Sequence, residues 1–388
     1  MSRPISRRAL LVSSAAPLLA ASPGGSLHRH IAKHPLAITM WDFSWLERRW
    51  PGAGYEDWDE ALGALKTRGY DAVRIDAYPH LIHAGADRTW ELLPHWWFQD
   101  WGAPSRCRVR IQPELNKFIA ACGRHNICVG LSTWFRQDVD DTRLKIQGPA
   151  DLAAMWKTTL DSIEPGLRKH LLYVDLCNEW PIEPWAPFYP KKTPRTSPEG
   201  VRWMRESIDQ IRAAYPSLDY TFSFSSEYNT WKQQDFSMLD FLELHLWMTT
   251  FSDFYKKVGY AWERFDQKGY DNVALNAERI YRENPKHWQD RLKFGIDTLA
   301  EWSAASNKPL MTTECWSLVD YKDGPMLPWD YLKELCDLGV RHAAAKQRWI
   351  AIATSNFCGP QFQGMWRDVE WHRRLTRVIH EAKLPVNW

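Results

Sequence analysis

The sequence predicts a single α/β domain folded as a closed (β/α)8 TIM barrel with long, aromatic-rich loops after its strands. Three observations carry this expectation. Eight apolar, β-rich runs of six to nine residues recur along the chain, and amphipathic helical stretches lie between them. Sustained alternation of this kind argues for one parallel sheet closed on itself. A doubly wound open sheet would carry a Gly-rich phosphate turn after its first strand, and none is present.

In order, the runs are 36–43 (LAITMWDF), 71–78 (DAVRIDAY), 127–134 (ICVGLSTW), 171–179 (LLYVDLCNE), 220–226 (YTFSFSS), 241–248 (FLELHLWM), 309–316 (PLMTTECW) and 349–357 (WIAIATSNF). Helical patterns fall at 56–68, 113–124, 149–169, 198–214, 287–305, 329–346 and 366–382. Pro113 after Gln112, Pro149 followed by Asp151, and Ser197-Pro198-Glu199 are good helix starts. Residues 252–286 lack a clear period and are expected to form an irregular, aromatic-rich excursion.

Residues 1–26 are set apart from the barrel domain, 27–388. Ser6-Arg7-Arg8 precedes an apolar run, Ala9 to Ala21, and small residues follow. This is the pattern of an export signal, and its paired arginines resemble the twin-arginine type. The expectation is therefore a periplasmic or extracellular protein of bacterial type. No other stretch approaches 18 apolar residues, so no membrane anchor is expected.

Lys and Arg total 49 against 47 Asp and Glu, which gives no reason to invoke nucleic acid or an anionic membrane surface. Seven cysteines, an odd number without any C-x-x-C spacing, argue against a thiolate zinc site, and Cys128, Cys177, Cys315 and Cys358, inside apolar runs, read as small buried hydrophobes. Tryptophan is unusual, at 24 of 388 residues. Burial accounts for part of it, and flat rings that stack on sugar faces in a groove account for the rest.

In such barrels chemistry sits where strands end and loops begin. Strand four ends Asp175-Leu176-Cys177-Asn178-Glu179-Trp180, and strand seven ends Thr312-Thr313-Glu314-Cys315-Trp316. Breaking a sugar acetal needs two carboxyl groups flanking the bond, one to protonate the leaving oxygen and one to attack or to activate water. Strands four and seven lie on opposite parts of an eight-stranded ring, so Glu179 and Glu314 can face each other across its mouth. A lone strand-end glutamate would usually be a solvated or ion-paired loop residue. Two of them, each beside a tryptophan, are a stronger signal.

The Asn-Glu pair ending strand four, with a lone Glu ending strand seven, resembles glycoside hydrolase clan A, the cellulase-like superfamily of retaining glycosidases. The likeness runs over about residues 36–382. It implies that Glu179 is the acid/base, Glu314 the nucleophile, and Asn178 a donor to the 2-hydroxyl of the bound sugar. Arg74, in Val73-Arg74-Ile75-Asp76, resembles the clan's strand-two arginine, which pairs with the nucleophile and keeps it ionised. Asp76 and Tyr78 share its face by period-two alternation; a purely structural Arg74–Asp76 pair is the plainer reading. His245 stands where many members carry a histidine, but Trp247 replaces the tyrosine usual two residues on. The nucleophile's tyrosine partner must then come from elsewhere, with Tyr228 the candidate. Strand eight lacks the platform tryptophan, and Trp366 is the candidate substitute.

Trp41, Trp134, Trp247, Trp316 and Trp97 are the expected sugar-facing rings. The tryptophan-rich loop holding Trp97 is expected to wall off one end of the groove and to favour chain ends or short chains. Arg136 or Lys145 is a candidate charged subsite, with a solvated loop tip the plainer reading. The expected partner is an oligo- or polysaccharide with a β-linked bond; no cofactor and no metal are expected. Two rival readings are weaker. A metal-dependent hydrolase would use His28, His30 or His34, but these precede strand one instead of ending a strand. A non-catalytic sugar-binding barrel suits the aromatics equally, but it gives no reason for both carboxylates beside Asn178 and Arg74.

Overall fold

The computed structural model describes residues 25–388, apart from 95–101, 226, 262–265, 322, 325 and 387. The expected export segment therefore falls outside the described residues except for Gly25 and Ser26, and so does Trp97. The barrel strands are Leu36–Thr39, Ala72–Asp76, Cys128–Ser132, Leu171–Asp175, Tyr220–Thr221 with Phe224–Ser225, Leu242–Trp247, Leu310–Thr312 with Cys315–Trp316, and Trp349–Ala353. Each pairs in parallel with its neighbours, and the first pairs with the eighth. The broken fifth strand completes the ring: Tyr220 pairs with Val174 of strand four, and Phe224 with Leu244 of strand six. This is the (β/α)8 barrel that the alternation predicts.

Strands one, two, four, six and eight are buried at every position, as parallel strands must be when helices cover one face and packed side chains fill the other. The helix starts are set by local chemistry. Asp57 accepts from the Asp59 and Glu60 amides to open Trp58–Thr67, and Ser197 caps Pro198–Ala214 through the Gly200 amide. The region 252–286 departs from expectation. It carries a helical stripe at Tyr270, Val273, Ala277, Ile280 and Tyr281 that the polar residues between them obscure: Asp266 caps a helix over Gln267–Glu283, and a short helix spans Phe254–Val258.

After strand two the chain forms a helix, Pro79–Gly85, and an antiparallel ribbon of Thr89–Leu92 with Cys107–Arg110. A short helix, Ser26–His30, packs at the opposite end of the barrel, where the Leu27 amide donates to Asp219 just ahead of strand five. His28 stacks on Trp388 at 4.0 Å, so these residues belong to the packed structure. All seven cysteines are free. Among the described residues, no helix is long and apolar enough to cross a membrane.

Candidate active site

The site is assembled by breaks in two strands. In strand four, Asp175 accepts from the Ser132 and Ser223 hydroxyls at 2.8 Å and from the Ser223 amide at 2.9 Å, tying together strands three, four and five. The Ser223 oxygen in turn accepts from the Glu179 amide at 3.0 Å. That bond helps hold Glu179 in a left-handed conformation (φ 48°), which costs a non-glycine residue about 1–3 kcal/mol and is typical of functional positions. Strand seven is interrupted between Thr312 and Cys315. There one Glu243 oxygen accepts from the Thr313 amide (2.9 Å) and hydroxyl (2.6 Å). The interruption re-aims Glu314 into the barrel mouth.

Glu179 and Glu314 are both buried, and their nearest oxygens come within 4.8 Å of each other, with a nitrogen of His245 in the same span. Arg74 binds the group together. Its Nη2 donates to Glu314 Oε1 at 2.5 Å, its Nε to Asp42 Oδ1 at 2.9 Å and its Nη1 to the Thr313 hydroxyl at 2.6 Å. His245 Nδ1 lies 2.9 Å from Glu179 Oε1 and 3.6 Å from Glu314 Oε1, and its Nε2 lies 2.9 Å from Glu243 Oε2. The other Glu179 oxygen accepts from Trp185 Nε1 at 3.1 Å.

Charge is distributed unevenly across this cluster. Burial opposes a charge on His245, but the carboxylates of Glu243, Glu314 and Glu179 outweigh it and hold the imidazole well above its usual range. Burial pushes the Glu314 carboxyl up to about 7, against the pull of His245 and Arg74. Burial also acts on Glu179, yet its hydrogen bond and charge contact with His245 prevail and hold it below the ordinary glutamate range. Glu179 is then the ionised carboxylate and Glu314 the one nearer to carrying a proton. That is the reverse of the order expected for an acid at Glu179 and a nucleophile at Glu314. The cause is His245, which sits closer to Glu179.

Asn178 is fully buried, and both polar atoms of its side-chain amide lack a partner among the described residues. Trp247 Nε1 is likewise buried and unpaired, with its ring 5.9 Å from His245. A buried donor or acceptor without a partner costs about 1–3 kcal/mol, so unpaired groups at a cleft are places where a polar ligand is welcome.

The other expected residues divide. Trp134 lines the site: its Nε1 donates to Asp42, its ring meets Trp185 edge-on at 4.7 Å, and the Arg74 guanidinium lies 5.9 Å from it. Asp76 does not pair with Arg74. Its oxygens accept from the backbone amides of Tyr78 (2.7 Å) and Trp134 (2.8 Å), so it is a structural brace for two strand ends. Trp316 is core, not platform. Its Nε1 donates to the Ala353 carbonyl at 2.9 Å, and its ring packs where a Cβ on Gly339 would stand only 2.5 Å away.

Trp41 is buried against Phe362 at 4.7 Å. Tyr228 packs on Phe251 at 5.1 Å beside Arg291, outside the carboxylate cluster, so Glu314 takes its close hydrogen bond from Arg74. Trp366 lies beneath the Arg68 guanidinium, 3.9 Å away, on the flank of the barrel. Arg136 is buried in a two-point ion pair with Glu47, both contacts 2.8 Å, and offers no charge to a subsite. Asp42, Glu243, Thr313 and Trp185 belong to the site without having been singled out. The spacing Glu243-x-His245, two residues on one strand face, was the signal available for Glu243.

Glu179, His245 and Glu314 are close enough in space to suit a metal ion. Their donor atoms are already engaged, since Arg74 donates to Glu314 and His245 presents one nitrogen to Glu179 and the other to Glu243.

Residues 38–380 match the model of a family described as sugar-binding cellulase-like. A Parabacteroides distasonis protein, presented as a candidate glycoside hydrolase, is 51% identical over 91% of this chain and 95% of its own, with a TM-score of 0.88. Two more distant structures share the fold alone. The cellulose synthase subunit Z of Clostridioides difficile has a TM-score of 0.52 at 13% identity, covering 89% of this chain and 99% of that one. A glycoside hydrolase family 5 mannosidase from Rhizomucor miehei has 0.51 at 11% identity, covering 89% and 93%. A comparison with curated proteins finds no match.

Proposed function

The chain belongs to the sugar-binding cellulase-like family, and on that premise we propose that it is a retaining glycosidase cleaving a β-linked oligo- or polysaccharide by double displacement. The convergence of Glu179 and Glu314, oxygens within 4.8 Å, carries this reading. Retention works with carboxyl groups about 5–5.5 Å apart, whereas inversion needs about 6.5–9.5 Å to admit a water.

In the first step Glu314 attacks the anomeric carbon while Glu179 protonates the leaving oxygen, whose bond to that carbon breaks. In the second, Glu179 takes a proton from water as the water displaces Glu314. Arg74 fixes the attacking carboxylate and favours its ionised form. The unpaired amide of Asn178 suits a hydroxyl of the bound sugar. Trp185, in the loop after strand four, donates to Glu179 and meets Trp134 edge-on, and so narrows the mouth beside the acid. That supports action on chain ends or short chains.

A screen of aryl β-glycosides and of plant, fungal and bacterial polysaccharides, with products resolved by size and by NMR, tests the reading. The first-formed sugar is expected to be the β-anomer; an α-anomer appearing first would sink the double displacement. The pH profile is a second check. Glu314 must be ionised to attack, so kcat/KM is expected to rise with pH through about 7, where burial has moved its carboxyl. A free-enzyme profile already at its plateau one unit below that value would count against this role.

Residues 1–26 are proposed to direct export. Lysine in place of both Arg7 and Arg8 is expected to leave the protein in the cytoplasmic fraction on cell fractionation, and undiminished export of that variant would refute a twin-arginine route.

A further inference from the structure

Glu243 is a fully buried carboxylate that the two-step chemistry above does not use. It stands two residues before His245 on the sixth strand, so both point to the same face. One of its oxygens serves Thr313. The other is 2.9 Å from His245 Nε2 and 4.0 Å from Arg74 Nη1. On the far side of the imidazole, Nδ1 is 2.9 Å from Glu179.

With Glu179 ionised, two arrangements of hydrogens are conceivable, because an unprotonated Nδ1 would face its carboxylate lone pair to lone pair. A neutral imidazole could accept at Nε2 from Arg74 Nη1, 3.1 Å away. Glu243 Oε2 would then be a carboxylate oxygen with no donor in a dry interior, where an uncompensated charge is expensive. A doubly protonated imidazole instead donates to Glu243 at one end and Glu179 at the other. Arg74 Nη1 keeps its better acceptor, the Thr313 hydroxyl, which passes its own hydrogen to the first Glu243 oxygen.

The charges facing His245 favour the second arrangement. Glu179 comes from strand four, Glu314 from strand seven, Glu243 from its own strand, and only Arg74 from strand two is positive. Behind them, Asp42 holds Arg74, and Asp175 and Tyr173 lie within electrostatic reach of Glu243.

We propose that Glu243 and His245 form a proton relay behind Glu179, in which Glu243 is a positioning residue that keeps His245 charged until a substrate arrives. This rests on the glycosidase reading. The Nδ1–H bond of His245 breaks as an O–H bond forms on Glu179. That proton moves to the leaving oxygen, which keeps the electron pair of its broken bond to the anomeric carbon. In the second half-reaction Glu179 takes a proton from the attacking water and returns it to His245. Glu243 remains a carboxylate throughout, and no further reactant is needed. The relay also explains how a Glu179 that His245 holds ionised can still act as an acid.

Glu243→Gln keeps the shape and removes the charge. For a substrate with a poor leaving group, such as a methyl β-glycoside, it is expected to lower kcat/KM at neutral pH by about 10²-fold. The alkaline limb is expected to move down by about one pH unit or more. With a dinitrophenyl glycoside, which needs little protonation, the loss is expected to stay within about threefold. Glu243→Asp is expected to restore part of the alkaline limb.

Equal losses on both substrates with an unmoved limb would make Glu243 merely structural and overturn the relay. Should Glu243→Gln not fold, NMR titration of the wild-type His245 ring decides: the imidazolium is expected to persist above neutral pH, and a ring neutral at pH 6 would refute the proposal. If the wild-type protein hydrolyses no glycoside, the glycosidase reading fails by itself, while the ring titration still reports on the Glu243–His245 pair.

Discussion

Glu314→Ala is expected to lower kcat on every glycoside the enzyme accepts by about 10⁵-fold, the scale on which loss of a covalent nucleophile is felt. The loss should fall on kcat, because Asn178, Trp247 and the rings around the mouth would still bind sugar. The variant should also fold. Burial has pushed the Glu314 carboxyl up to about 7, so the folded protein holds that group under protest, and removing it relieves a desolvation cost. Arg74 would retain Asp42 and the Thr313 hydroxyl.

A small anion offers a sharper check than loss alone. Azide can enter the space vacated by the carboxylate, beside the Arg74 guanidinium, and attack the anomeric carbon from that face. With an activated β-glycoside the expected product is an α-glycosyl azide, and turnover should rise with azide concentration. Turnover of Glu314→Ala within tenfold of wild type, measured without added anion, would exclude Glu314 as the nucleophile.

What the sequence shows of this site follows from how each residue does its work. Glu179 and Glu314 stand where apolar runs break and Arg74 stands inside one, and a charged residue at such a point is legible because nothing else explains it there. The ring of strands is legible for the same reason: parallel strands buried on both faces leave nearly continuous apolar runs. The tryptophans are harder, since the same residue type serves as wall and as core. Trp134 faces the site and Trp316 packs under strand eight, and only the space left by Gly339 separates the two cases.

Asp76 misleads by a different route. Strand alternation places it on the face of Arg74, but the backbone amides of Tyr78 and Trp134 at the strand ends claim its oxygens. Asp42 is hidden because its partner is 32 residues away in sequence. The charge order of the two glutamates could not be read from the chain at all, since it depends on His245 lying nearer to Glu179 than to Glu314.

Arg74→Met is expected to be the most destabilising single change in the site. The guanidinium is completely buried, and the carboxylates of Asp42, Glu314 and Glu243 hold its proton far above the ordinary range against the effect of burial. Methionine fills much of the volume but leaves those carboxylates without their cation. Removing one partner of a buried ion pair costs about 3–5 kcal/mol, because the remaining charge stays desolvated. The cost should depend on pH. In the variant the orphaned carboxyls are pushed above their unfolded values, so the folded state binds more protons than the unfolded one.

Stability must then fall as pH rises, from the unfolded carboxyl range near 4 through the raised folded values. Urea unfolding of wild type and Arg74→Met at about pH 5 and pH 8 measures this, and the gap between the proteins is expected to widen at the higher pH. A second change tests the cause. Glu314→Gln removes one of the orphaned charges, so the Arg74→Met, Glu314→Gln protein should be more stable at pH 8 than Arg74→Met alone. A gap that does not change with pH, together with strictly additive effects, would mean that Arg74 acts through packing alone and does not hold Glu314 in its ionised form.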